Sequence, residues 1–168
     1  MGDASAQVQA DLDRLLERSL SLMLATADES GRPEASYAPF VRDEHGRFYV
    51  FVSELSRHTA NLAAGRPVSV LIIEDEQASR QIFARLRVTY YCAAHSIERG
   101  SARWLELMDR FQQRFGEVMD LLRDLTDFTL FEIDPLEGQL IRGFGQAYRL
   151  VDGRFERRKT DPRTSAGR

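Results

Sequence analysis

The sequence predicts a mainly β fold with added helices, an α+β class in which six or seven short antiparallel strands close into a small barrel with flanking helices. Two observations lead to this prediction. Short runs rich in apolar and aromatic residues recur along the chain, each bounded by residues typical of turns. The runs also lack the regular alternation of strand and helix that marks a parallel sheet. Because so small a barrel fills its interior with side chains, we expect any sizeable ligand outside it or between subunits.

An amphipathic helix is predicted near the amino terminus. Between residues 5 and 18, apolar side chains recur at Val8, Leu12, Leu15 and Leu16 among polar neighbours, the pattern of a helix that packs one face on a core. The next apolar runs are residues 20–26, 35–41 and 47–53. They are separated by the turn-rich segments ADESGRPE and RDEHG, so they predict an antiparallel meander.

A short helix is predicted directly after the third strand. Ser56 is a good N-cap, Arg57 to Ala64 provide two turns, and Gly65 is placed to end the helix. Two further strands are predicted after it, at residues 67–75 and 82–92.

A pair of helices is predicted before the last strands. From Ala102 to Phe115 the apolar residues lie on one helical face, and Gly116 interrupts the pattern before the shorter helix EVMDLLRDL. Two final strands, DFTLFEID and GQLIRGFGQAYRL, are expected to join around Pro135. We therefore expect a single domain over residues 1–150 and a polar, mobile tail over residues 151–168.

Composition narrows the classes of function. The 168 residues are 43% hydrophobic and carry a net charge of only −3, which favours one globular domain and argues against nucleic acid or membrane as a partner. The amino terminus lacks the pattern of a secretory signal, and no run approaches the roughly 20 apolar residues of a membrane helix. The single cysteine, Cys92, is expected to be a reduced core thiol, so we expect a cytoplasmic protein.

The first candidate site is the start of the short helix. The backbone amides of residues 57–59 would present free donors, Arg57 adds a charged fork, and Ser53 and Thr59 add neutral donors. Such a group suits a phosphate or a carboxylate. The alternative is that Ser56 only caps the helix, while Arg57 and His58 face solvent.

The predicted strand at residues 82–92 carries the second candidate. Strict alternation places Arg85 and Arg87 on one face, with an apolar set on the other. Two neighbouring cations need an anionic partner or water, so this face is a candidate wall for ligand carboxylates. The alternative is an exposed face whose arginines pair with acids in the segment Glu74–Glu76.

Small residues mark the segment RGFGQAY, residues 142–148. Read as a strand, it places Gly143, Gly145 and Ala147 on one side, where a backbone or a flat ligand could approach closely. A bulge or a barrel corner explains the same residues equally well.

Several ordered segments together resemble a known family. The stretches FVSELSRHTANLAAGRPVSVLI, EDEQASRQIFARLRVTYY and DFTLFEIDPLEGQLIRGFGQAY resemble the pyridoxamine 5'-phosphate oxidase-like split-barrel superfamily, and more narrowly its haem-utilisation branch. The resemblance covers about residues 15–150. It implies a split β-barrel that forms a homodimer, with a site for a small planar anionic cofactor, haem or FMN, at the subunit interface.

The sequence departs from the true oxidases of that superfamily. Their phosphate-binding helix begins Ser-Arg-Lys, whereas this chain has Ser56, Arg57 and His58. The strand containing Tyr37 also lacks their flavin-contacting lysine, and their carboxy-terminal substrate signature has no counterpart after Tyr148. These differences argue against oxidation of vitamin B6.

The haem-utilisation branch accommodates these departures. By resemblance, Arg87 would lie near the distal side or a propionate of haem, and Asp127 would orient a proximal ligand supplied across the dimer. Haem-binding members use a histidine in the carboxy-terminal tail, but residues 151–168 contain none. The histidines are His45, His58 and His95, and the other candidate ligands are Cys92, Tyr90 and Tyr91.

Three functional hypotheses follow. The first is a haem-binding protein, with haem degradation left open, in which Arg85 and Arg87 bind propionates, Arg57 and His58 lie near the rim, and Asp127 acts behind the ligand. The second is an FMN-binding oxidoreductase whose phosphate site is Ser53, Arg57, Thr59 and Asn61. The third is a cofactor-free dimeric binding module, because a fold alone does not confer chemistry.

Overall fold

The computed structural model describes residues 2–151 and 153–157. Within those residues the chain forms four helices, α1 Gly2–Arg18, α2 Arg57–Ala63, α3 Ala102–Phe115 and α4 Val118–Leu122. It also forms eight strands, β1 Ser21–Ala27, β2 Pro33–Arg42, β3 Phe48–Ser53, β4 Val68–Ile73, β5 Arg87–Ile97, β6 Phe128–Gly143, β7 Gln146–Val151 and β8 Arg154–Arg157. No helix in the described part of the chain is long and apolar enough to span a membrane.

Six of the described strands close into an antiparallel barrel. Their order is β3-β2-β1-β4-β5-β6, and β3 pairs with β6 to complete the circle. Strands β7 and β8 continue the sheet beyond β6. The predicted fold class, an antiparallel split barrel with flanking helices, is confirmed.

The barrel interior is filled with apolar side chains. Inward-facing residues of every barrel strand form one core, with Leu24, Phe48 and Val88 each at most 1% exposed. The apolar face of α1 joins the same core through Leu12 and Leu16, so this helix packs on the barrel as the sequence predicted. Because side chains of the described residues fill the interior, we expect a cofactor-sized ligand to bind outside the barrel.

A second core lies between β3 and the helical pair. Tyr49 and Phe51 alternate with inward residues of β3 and therefore face outward, where they pack beneath α3. The predicted apolar face of α3 is confirmed, since Trp104, Leu107 and Phe111 are all buried there. Strand β3 is thus covered on both faces, because its residues contribute to both cores.

The prediction of a strand over residues 82–92 was wrong in its first part. Residues Ile82–Ala84 form a single 3₁₀ turn, and β5 begins only at Arg87. The reason is a contact with a residue eleven positions earlier: Arg85 donates from Nε to the backbone carbonyl of Glu74 at 3.0 Å, which holds the chain in a loop. From Arg87 onward the predicted alternation is correct, with Val88 turned inward.

The predicted division of the last strands was also wrong. Strand β6 runs unbroken through Pro135, because a bulge opposite Tyr91 and Cys92 takes up the irregularity. The segment 142–148 is therefore a hairpin between β6 and β7, with Gly145 at φ +66°, and it is not one continuous strand. A turn, and not a ligand, accounts for its small residues.

The predicted tail overlaps the end of the described chain. Residues Arg154–Arg157 form β8, which pairs with β7 and buries Phe155 in the barrel core. Residues 158–168 lie outside the described residues. Residues Arg154–Arg157 therefore belong to the sheet and not to a mobile tail, whereas mobility of residues 158–168 stays a prediction.

Candidate functional site

A cavity of about 580 Å³ lies on the outer wall of the barrel beside α2, and we refer to it as the α2 crevice. Strand β2 contributes Tyr37, the segment from Ser53 to His58 forms one side, and Phe128 at the start of β6 completes the wall. Aromatic surfaces and hydrogen-bonding groups thus meet at one place. The predicted phosphate or carboxylate site at the start of α2 is part of this crevice.

Helix α2 begins at the predicted residue, Arg57, and ends at Ala63, one residue before the predicted end, with Ala64 as its C-cap. Ser56 occupies the N-cap position, although its side chain makes no capping hydrogen bond in the described structure. The hydroxyl of Thr59 donates to the carbonyl of Ser53 at 2.5 Å, and this bond holds the turn instead. At the other end, Gly65 adopts φ +65° and its amide donates to Leu62, as expected for a residue that stops a helix.

Two of the predicted phosphate ligands face the barrel and not the crevice. Asn61 is only 7% exposed, and its amide nitrogen donates to the hydroxyl of Thr26 on β1 at 3.0 Å. Thr59 is buried, with its hydroxyl hydrogen already donated to the carbonyl of Ser53. Both side chains therefore fasten α2 to the barrel, because they lie on its inward face.

His58 lies at the base of the α2 crevice and not at its rim. It is 7% exposed, and its Nε2 atom is buried with no hydrogen-bond partner among the described residues. Burial lowers its pKa, and the negative charge of Glu34 opposes that shift. Arg57, by contrast, is exposed beside it at the crevice. The site thus combines an accessible cation with a buried imidazole whose Nε2 atom has no partner in the described part of the chain.

Ser53 and Asp127, which were predicted to have separate roles, are hydrogen-bonded to each other. The hydroxyl of Ser53 donates to Asp127 Oδ2 at 2.9 Å, and the amide of Glu54 donates to the carbonyl of Asp127 at 2.7 Å. Asp127 precedes Phe128, which lines the α2 crevice. The carboxylate is consequently anchored at the end of β3, next to the crevice.

Arg85 and Arg87 lie away from the α2 crevice. Arg85 lines a second cavity of about 580 Å³, which we call the α1 cavity, and its Nη1 pairs with Glu76 Oε1 at 3.1 Å. Arg87 donates from Nη1 to the carbonyl of Arg85 at 3.2 Å. A single chain therefore does not bring these arginines together with Arg57. Arg85 pairs with the nearby acid Glu76, as the alternative interpretation of this segment predicted.

Tyr37 is the residue that the sequence interpretation missed. It is 68% exposed and lines both the α2 crevice and the α1 cavity. The signal was present in the alternation of β2, where Tyr37 shares the outward face with Ala35 and Pro39. An exposed aromatic ring on that face connects the two cavities.

The other suggested iron ligands are poorly placed in the described structure. Burial raises the pKa of Cys92 to about 12, so its thiolate is not available. Tyr90 is buried within the barrel core. His45 lies in the turn before β3 with Nε2 3.7 Å from Glu44, and His95 is exposed on β5; neither lines the α2 crevice.

A closed antiparallel barrel with a polar crevice on its outer wall, beside the helix that follows the third strand, defines a split-barrel protein. Residues 8–142 match the pyridoxamine 5'-phosphate oxidase family. The chain therefore belongs to the pyridoxamine 5'-phosphate oxidase family.

HutZ and ChuZ are among the similar proteins, and the description of HutZ names heme. The heme oxygenase HutZ of Vibrio cholerae serotype O1 is 40% identical over 144 residues, which cover 86% of this chain and 81% of that protein. A crystal structure of HutZ, described as the heme storage protein of Vibrio cholerae, superposes with a TM-score of 0.77 at 37% identity, over 82% of this chain and 97% of that one. Campylobacter jejuni ChuZ superposes with a TM-score of 0.83 at 30% identity, over 91% of this chain and 63% of ChuZ. The resemblance seen in the sequence is confirmed.

Proposed function

We propose that this protein is a homodimer that binds haem on the outer wall of its barrel, at the α2 crevice. The observation that carries the proposal is the crevice itself, where aromatic walls, the exposed cation Arg57 and the unsatisfied Nε2 of His58 meet. A planar ligand with carboxylates matches such a surface, because rings pack on aromatic side chains and carboxylates pair with guanidinium groups. HutZ, a relative described as a heme oxygenase and as a heme storage protein, supports the same ligand.

The donors in the crevice suit haem better than FMN. An FMN phosphate needs several hydrogen-bond donors, but Thr59 and Asn61 donate within the fold and the hydroxyl of Ser53 donates to Asp127. Arg57 remains as the charged donor that faces the cavity. One guanidinium can bind one propionate, whereas it is a sparse site for a phosphate dianion.

We propose haem binding as the function of the α2 crevice. Bound haem supplies an iron centre that requires a protein ligand for controlled oxygen chemistry. The chain has no histidine beyond His95, and the crevice offers Tyr37 and His58 as its side chains of ligating type. Within this proposal Arg57 binds a propionate, while Tyr37 and Phe128 enclose the ring.

The outer face of the sheet supports the dimer. Met23 on β1 lies in register with Tyr37 on one side and with Leu71 on the other, and these side chains form an outward apolar stripe. Met23 is 50% exposed and Tyr37 is 68% exposed. A second copy that covers this stripe would also close the α2 crevice and the α1 cavity, since both open at Tyr37. We place the protein in the cytoplasm, where the buried Cys92 thiol stays reduced.

An absorption titration tests the ligand. We expect hemin added to purified protein to produce a sharp Soret band, and Arg57→Ala to weaken hemin binding about tenfold through loss of one charged contact. Arg149→Ala removes an arginine far from the crevice and serves as the matched control. A flavin band near about 450 nm with FMN, and no Soret change, would instead favour the oxidoreductase. Absence of both bands would favour the cofactor-free module.

Sedimentation tests the dimer. We expect the wild-type protein to sediment as a dimer and Met23→Glu to sediment as a monomer, because a buried unpaired carboxylate disfavours the interface. Leu136→Glu changes another exposed apolar residue outside the stripe and should remain dimeric. A monomeric wild-type protein would contradict the proposal.

A further inference from the structure

Arg99, in the turn between β5 and α3, binds the chain segment that leads from α4 into β6. We call residues 123–128 the α4–β6 connection. The guanidinium donates from Nη1 to the carbonyl of Arg123 at 2.8 Å, and from Nη2 to the carbonyls of Leu125 and Phe128 at 2.6 and 2.9 Å. One side chain therefore satisfies acceptors spread over most of the connection.

The same guanidinium also lies between two aromatic rings. Its Cζ atom is 5.9 Å from the ring centre of Phe51 on β3 and 5.2 Å from that of Trp104 on α3. Arginine is suited to this place, because its planar fork can stack on rings while its edge donates several bonds. Arg99 thus links β3, α3 and the connection through a single charged group.

The α4–β6 connection carries groups of the candidate site. Asp127 accepts from the hydroxyl of Ser53 at 2.9 Å, and Phe128 both lines the α2 crevice and packs on Phe51 with ring centres 5.1 Å apart. Arg99 itself does not line the crevice. Its bonds to Leu125 and Phe128 bracket Asp127 on both sides along the chain.

We propose that Arg99 is a positioning residue that holds Asp127 and Phe128 in the places they occupy at the α2 crevice. This proposal rests on the proposed ligand-binding function of that crevice. Without Arg99, three carbonyls lose a charged donor, and the connection keeps its backbone hydrogen bonds to α4 and its anchors at the end of β3. We expect the Asp127 carboxylate and the Phe128 ring to become more mobile. No direct contact between Arg99 and the ligand is lost, because Arg99 does not line the crevice.

The experiment compares Arg99→Ala with a matched control, Arg123→Ala. Arg123 also stacks on Trp104, at 5.9 Å, but its guanidinium donates no hydrogen bond among the described residues. The readouts are amide hydrogen exchange at residues 125–128, the emission of Trp104 and the affinity for hemin. Trp104 is the single tryptophan of the chain, so its emission reports on the ring that Arg99 covers.

For Arg99→Ala we expect exchange of those amides to be about tenfold faster and hemin binding about tenfold weaker, with Arg123→Ala near wild type in both. If Arg99→Ala folds poorly, Arg99→Lys replaces it in the experiment. Lysine keeps the charge but cannot bridge three carbonyls, so this variant should show most of the same increase in exchange and loss of hemin affinity. Added methylguanidinium should slow exchange again in Arg99→Ala, because a soluble fork can occupy the vacated space. A general structural defect would not respond in this way.

The proposal is overturned if Arg99→Ala and Arg123→Ala behave alike in exchange and hemin affinity. It is also overturned if exchange accelerates while hemin affinity stays at the wild-type value. A wild-type protein that binds neither hemin nor FMN would refute the proposed function. The exchange comparison would then still decide separately whether Arg99 holds the connection.

Discussion

Strand β3 has a group of polar side chains at each end, each built around a buried residue, Asp43 at one end and His58 at the other, and the two groups differ in how completely they are paired. Near its start lies the Asp43 network, which consists of Asp43, Arg47, Tyr49, Arg103 and Glu132. Asp43 Oδ2 lies 2.8 Å from the Tyr49 hydroxyl and 3.0 Å from Arg47 Nε, and Arg103 donates to Tyr49 at 2.6 Å. At the other end lies the α2 crevice, where Nε2 of His58 is buried without a partner in the described structure.

The degree of hydrogen-bond pairing distinguishes a polar group that stabilises the fold from one that can bind a ligand. A buried polar network whose members satisfy one another fixes the packing of α3 on β3 and leaves nothing for a ligand to bind. A buried polar atom without a partner costs stability and is retained where something else compensates for it.

The largest effect is expected for Asp43→Ala. The side chain is fully buried and accepts from Tyr49, Arg47 and backbone amides, so its loss leaves several donors unpaired and should lower the free energy of unfolding by about 3 kcal/mol. Urea denaturation measures this. Asp28→Ala is the matched control, because Asp28 makes the same bonds to its own turn but on the exposed surface. Equal losses in both variants would show that the turn, and not the network, carries the energy.

A second, smaller loss is expected for Tyr49→Phe. The substitution keeps the ring beneath α3 but removes the hydroxyl that Arg103 and Asp43 share, which should cost about 2 kcal/mol in urea denaturation. Hemin affinity should stay at the wild-type value, because the network is architectural. If Tyr49→Phe also lowered hemin affinity, the Asp43 network would contribute to ligand binding, and the proposed difference between the two ends of β3 would be wrong.

At the crevice end, Ser53→Ala should cost about 1 kcal/mol, since Ser53 is partly exposed and its hydroxyl bonds Asp127 and the amide of Leu55. Unlike Tyr49→Phe, it should also weaken hemin binding, measured by the Soret titration. Ser30→Ala removes another serine–aspartate bond, at an exposed turn, and should change neither quantity noticeably. Unaltered hemin binding in Ser53→Ala would count against Ser53 as part of the site.

His58→Leu is expected to leave the free energy of unfolding unchanged or to raise it by up to about 1 kcal/mol. The variant replaces a buried, unpaired nitrogen with apolar surface, so the folded state no longer carries an unsatisfied group. Hemin binding should weaken, as measured by titration. A clear loss of stability would mean that the imidazole is satisfied in solution.

The smallest effect concerns pH. Burial lowers the pKa of His58 below its ordinary value of 6.5, so below pH 6.5 the unfolded chain binds the proton more readily than the folded chain does. Wild-type stability should therefore fall, relative to His58→Leu, as the pH drops from 7 through 6.5 toward the lowered pKa. Paired denaturation curves for the two proteins isolate this contribution from that of the carboxylates. The opposite slope would indicate a protonated His58 paired with Glu34.

Much of the fold was predictable because its signals are local. The boundaries of α2, the stop at Gly65 and the buried face of α3 follow from capping and periodicity within a few residues. The strand expected at residues 82–92 failed because a contact between Arg85 and the backbone of Glu74, eleven positions away, outweighs alternation. The pairing of Ser53 with Asp127 joins residues 74 positions apart, and no local pattern encodes it.

Two hairpin turns with the same sequence pattern differ in the burial of their aspartates. Residues 28–32, DESGR, and residues 43–47, DEHGR, share one pattern, and both make the same turn with an aspartate that accepts from amides two and four residues ahead. The sequence alone determined those turns, since their hydrogen bonds and their glycines are local. The burial of the aspartate depends on tertiary packing: Asp28 meets solvent, whereas Asp43 is buried with Tyr49 beneath α3. The reason is that burial depends on which distant helix packs over a turn, and that packing is a property of the whole chain.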